Sequence, residues 1–170
     1  MAARTGLQQV SVGVGWEDRP DGASLDLDIV AFALAADGRV ESDGDFVFFN
    51  NLSACDGAIR LTSDAAVRPS WREELIVDAA RLPARVERVT IAVVSYGGER
   101  RFAEYPAGFV ELSDSDAGQL ARIELAARFG REQAVICADL YRDGGRWILR
   151  ARGDRYDDLA AMARSMGVKV

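Results

Sequence analysis

Short apolar runs, cut every few positions by glycine, aspartate or proline, constrain this chain's fold more than any other feature. Val10, Val12 and Val14 alternate with serine and glycine, the period-two pattern of a half-buried strand. Gly13 and Gly15 in the same run mark close packing between strands. Residues 25–36 form a long strand with a buried face, ended by the turn pair Asp37 and Gly38. Residues 46–49 form a buried strand rich in aromatics, and residues 86–94 carry the strongest strand signal, being largely β-branched. Residues 109–112 open a hairpin closed across 114–118. Residues 134–141 pair with 147–151 across Asp143, Gly144 and Gly145.

Only one segment has helical spacing. Leu159, Met162 and Met166 stand at i, i+3 and i+7, with Gly167 placed as a C-cap and Asp154 as a starting cap. Strands do not alternate with helices, which excludes a parallel βαβ sheet. The predicted fold class is mainly β, a two-sheet β-sandwich with a short C-terminal helix.

With 170 residues the chain has the size of one domain spanning 1–170. Its net charge of −6 gains nothing from counterion release, so nucleic acid is excluded as a general partner. Cys55 and Cys137 stand in no CxxC pattern and read as two buried thiols in a reducing compartment. No run of about 18 apolar residues occurs, so no integral membrane segment is expected. The expected location is cytoplasmic.

The absence of histidine removes the Ser-His-Asp triad and the HExxH zinc site. No phosphate-binding loop of the GxxxxGK type is present. Oxygen ligands remain. Asp26, Asp28, Asp45, Asn50, Asn51, Glu73 and Glu74 bracket strand-like runs and form the candidate metal set. Calcium takes about 6–8 oxygens and tolerates loose geometry. Asp26 and Asp28 lie two apart, so on a strand they point the same way and repel unless a cation or a base lies between them. Acids in such places are more commonly a solvated turn and a polar strand face.

The residues at 12–17, 26–28, 31–34, 42–52 and 56–57 follow one another in an order that resembles the TerD family of tellurium-resistance and general stress proteins. Later pieces at 109–112, 121–125, 139–142, 145–153 and 156–168 extend the resemblance over nearly the whole chain. It implies a bacterial stress-response β-sandwich that binds calcium through acidic loops at one end. It also implies assemblies with other Ter-type stress proteins near the inner membrane, and no catalytic activity.

The departures from the family pattern are specific. Where the family carries a glycine- and aspartate-rich loop, residues 62–74 are shorter and hold Arg68, Trp71 and Arg72, with only Glu73 and Glu74 matching the acidic run. Val30 replaces a family serine, and Tyr96 and Gly97 replace a His-Asp pair. The expectation is that at least one calcium position is lost and another persists weakly on Asp26, Asp28, Asp45 and Asn50. The competing expectation is a metal-free protein-interaction module that grips a partner through an exposed Trp71 flanked by Arg68 and Arg72. No catalytic residue is assigned, and an enzyme is not expected.

Overall fold

Strands make up most of the regular structure in a computed structural model that describes residues 4–62, 70–96 and 100–170. In chain order they are β1 Arg4–Thr5, β2 Gln9–Gly15, β3 Leu27–Leu34, β4 Phe46–Val47, β5 Ser53–Ala54, β6 Ile59–Thr62 and β7 Glu73–Asp78. They continue with β8 Arg88–Ser95, β9 Phe109–Asp114, β10 Gly118–Glu124, β11 Ala134–Asp143, β12 Arg146–Ala151 and β13 Arg155–Tyr156. Two short helices follow β10 and β13, α1 Leu125–Phe129 and α2 Leu159–Ser165.

The strands form two antiparallel sheets. One runs β1-β12-β11-β8-β3-β4, with β13 also pairing on β11; the other runs β10-β9-β2-β7-β6-β5. Alternation decides what each face does. On β2, Val10, Val12 and Val14 enter the layer between the sheets and meet Ile29, Ala31 and Ala33 of β3 and Val89, Ile91 and Val93 of β8 in one core. The opposite face of the first sheet is also covered. Val30, Phe32, Leu34, Ala92, Val94 and Ile136 pack beneath Met162, Ala163 and Met166 of α2. That double burial explains why β3 reads as an unbroken apolar run and has no exposed position along its length. The β-sandwich with a helix near the C-terminus is therefore the observed architecture.

Several local expectations are corrected. The aromatic segment 46–49 is a strand only at Phe46–Val47, because Phe48 and Asn51 close a tight turn through reciprocal backbone hydrogen bonds. Phe49 lies exposed at that turn. The helix cap is Asp158, whose carboxylate accepts from the Ala161 N–H at 2.7 Å, while Asp154 pairs with Arg152. The short helix α1 and strand β13 carried no periodic signal of their own. Cys137 is buried, but Cys55 is only half-buried, and both are free thiols.

Candidate functional site

β3 and β7 belong to different sheets, and their acidic ends meet. Glu73, the first residue of β7, reaches the backbone of β3, where its carboxylate accepts from the Ile29 N–H at 2.6 Å. β4 pairs with β3 only at Ala31 and Phe32, so the stretch of β3 that would run past its end is left for the Glu73 carboxylate. The Asp28 and Glu73 carboxyls lie close enough to interact directly. Asp26, two residues before Asp28, adds its charge to both.

Burial sets the electrostatics. Asp28 is only 6% exposed, and loss of hydration pushes its carboxyl up to about 6, with repulsion from Asp26 adding to the shift. Glu73 is pushed up to about 8, again mainly by burial; the Ile29 N–H opposes the shift, and the charges of Asp28 and Asp26 reinforce it. Asp26 is raised as well, by partial burial. No arginine among the described residues offsets this trio. Asp28 Oδ2 is buried without a hydrogen-bond partner, which costs desolvation energy.

The backbone beneath the trio is braced. The Tyr105 hydroxyl donates to the Asp26 carbonyl at 2.9 Å and lies 2.6 Å from the Ser95 hydroxyl. The Tyr105 ring meets Trp16 edge-on at 6.0 Å. Neither Tyr105 nor Ser95 stood out in the sequence, because each is distant along the chain from the acids it supports.

The remaining candidates lie elsewhere. Asp45 is held bidentately by Arg85, both N–H···O distances being 2.9 Å, with Glu41 adding a weaker contact to the same guanidinium. Asn51 uses its amide to donate to the Gly44 and Phe46 carbonyls, which fixes the loop around Asp45. Asn50 is exposed in the tight turn. Glu74 points to the opposite face of β7 from Glu73, beside Ser11 and Arg60. Among the described residues, no group of three or more aspartate, glutamate or cysteine side chains already has the arrangement of a metal's ligands. The Asp26, Asp28 and Glu73 carboxylates are thus close enough to perturb one another without yet converging on one point.

The docking expectation at Trp71 is overturned. Trp71 is only 4% exposed and lies flat on the outer face of the second sheet. A Cβ on Gly13 would fall 1.9 Å from its ring, so the bare glycine makes room for the indole. Arg72 is turned away to Trp16, stacking at 4.6 Å from the ring and donating to its carbonyl, and it pairs with Asp18. Arg68 lies outside the described residues.

A model of the TerD domain matches residues 1–166. The tellurium resistance protein TerD of Serratia marcescens is 32% identical, over 98% of this chain and 91% of its own length. General stress protein 16U of Bacillus subtilis is 31% identical, over 97% and 90%. A solved structure of a protein described as of unknown function superposes with a TM-score of 0.79 at 28% identity, covering 97% of this chain and 99% of that one.

Proposed function

The chain belongs to the TerD family, and from that premise we propose a stress-response protein of the tellurium-resistance type whose site takes up a divalent cation, calcium foremost. Asp26, Asp28 and Glu73 would hold the ion. The observation that carries this reading is the buried Asp28 Oδ2, left without a partner between two further carboxylates. Like charges gathered in a poorly hydrated place favour either protons or a cation. The donors are all hard oxygens, which suits calcium, and three carboxylates leave the remaining positions of a 6–8-coordinate ion to water. Asp45 is not a ligand in this proposal, because Arg85 already neutralises it. One weak site is therefore the expectation, and its role is binding, not catalysis.

Thermal melting with chelator and with calcium tests the proposal. An ion that binds only the folded chain raises stability by RT ln(1 + [L]/Kd), about 2.7 kcal/mol at a hundredfold excess over Kd. A melt indifferent to millimolar calcium would remove the metal. In cells, wild type would restore tellurite survival to a strain lacking this protein, and Asp28→Asn would not.

The alternative, a metal-free interaction module, draws support from the Asp45–Arg85 pair and from the raised Glu73 carboxyl, which a proton satisfies as well as a cation. Its contact surface would have to exclude Trp71, which is already covered. No helix among the described residues is long and apolar enough to cross a membrane. Other Ter-type proteins remain the proposed partners, with assembly near the inner membrane and a cytoplasmic location.

A further inference from the structure

A cleft of about 480 Å³ opens where three chain segments meet: the approach to the short turn at Phe102–Glu104, the turn between α1 and β11, and strand β13. Arg101, Arg131 and Arg155 line it, opposed by the carboxylates of Glu132 and Asp157. The lining therefore carries a local excess of one positive charge on a chain of net charge −6.

The walls are fixed by contacts that leave cationic surface free. Phe102 N–H donates to the Glu132 carbonyl at 2.9 Å and Ala103 N–H to the Gly130 carbonyl at 3.0 Å, which ties the two turns together. Arg101 is anchored twice: its backbone N–H donates to Glu104, and its guanidinium donates to the Arg131 carbonyl. Arg155 is set by its place in the ladder opposite Val135, by an Nε contact of 2.9 Å to Glu132 and by the Phe129 ring 5.5 Å from its guanidinium. Among the described residues, the Arg131 guanidinium has no hydrogen bond or ion pair. Most other arginines of the cleft region are tied up: Arg100 with Glu104, Arg152 with Asp139 and Asp154. The Arg131 guanidinium is thus available at the rim of a cleft that two anchored arginines also line, and its planar fork matches a phosphate group bidentately.

We propose that this cleft binds a small molecule bearing a phosphate group, clasped by Arg131 with Arg101 and Arg155. The volume lies within the range of small-molecule sites, about 300–1,000 Å³, so it admits more than a bare ion. Gln133 lines this cleft and also the neighbouring one formed by Val94, Ser95 and Tyr96, which gives the non-phosphate part of the ligand a place to extend. The site does not depend on the carboxylate trio, and its test is run in chelator.

Calorimetric titration with inorganic phosphate, with ADP and with phosphatidylglycerol vesicles, all in chelator and low salt, decides the matter. The expected result is saturable binding of ADP or phosphate that weakens about tenfold in Arg131→Gln and falls as salt rises, while Arg146→Gln on β12 binds like wild type. Arg131→Gln removes no contact that holds the fold, so its melting temperature should match wild type. Three results would overturn the proposal: no binding of either soluble probe at about 1 mM, binding indifferent to Arg131→Gln, or binding to vesicles alone.

Discussion

Asp28 is the residue on which most depends. Its carboxyl and that of Glu73 are both raised in the folded chain, so the native state holds protons more tightly than the unfolded one. Their contribution to stability is then full below about pH 4, the ordinary carboxylate value, and is lost as pH rises toward about 8, where Glu73 titrates. In chelator, the melting temperature should fall between pH 5 and pH 8, a window set by these two groups. Asp28→Asn should flatten that slope, raise the melting temperature at pH 8 and abolish any calcium-dependent rise. A slope unchanged in Asp28→Asn would place the titration elsewhere. Asp45 is a different case, an acid already paired with an arginine. Arg85→Ala strands a buried carboxylate, and about 1–3 kcal/mol should be lost in denaturant unfolding. Calcium affinity should stay as in wild type.

At the level of strands and turns, Gly13 is the sharpest structural dependency. A methyl group there would overlap the Trp71 ring, and the backbone of β2, paired on both sides by β7 and β9, has little freedom to yield. Gly13→Ala should cost about 1–3 kcal/mol, the usual cost of overpacking, measured by chemical denaturation. A Gly13→Ala, Trp71→Ala pair should recover part of it. A close approach at Gly13 was legible in the sequence, because glycine in a strand marks one, though it was read as strand against strand and an indole fills the space instead. Its partner was not, since Trp71 sits 58 positions away by the numbering and a polar neighbourhood made it look exposed. The same limit applies across the molecule. Period-two runs and turn residues revealed both long hairpins and the sandwich, because those signals are local. Of the site, Asp26 and Asp28 were legible as a same-face pair and Glu73 as an acid of the right region. That Glu73 and Glu74 face opposite ways followed only once β7 had a start. The capture of Asp45 by Arg85, and the Tyr105 brace under Asp26, involve partners 40 and 79 residues apart, which no sequence spacing reports.

For the molecule as a whole, the sandwich brings acids from two sheets to one edge in front of a packed apolar core. Closing the sheets over Ile29 and Leu75 holds the backbone of the site in place, while the exposed Asp26 keeps room to move toward an ion. The central claim is that one cation replaces the protons held on Asp28 and Glu73, with Asp26 completing its ligands. The most direct measurement is calorimetric titration of calcium at pH 7.5 into wild type, Asp28→Asn, Glu73→Gln and Asp45→Asn. One saturable event is expected in wild type and Asp45→Asn, with Kd between about 10⁻⁵ and 10⁻³ M and proton release on binding, and silence in the other two. Wild type silent at millimolar calcium, or Asp28→Asn and Glu73→Gln titrating like wild type, would contradict it.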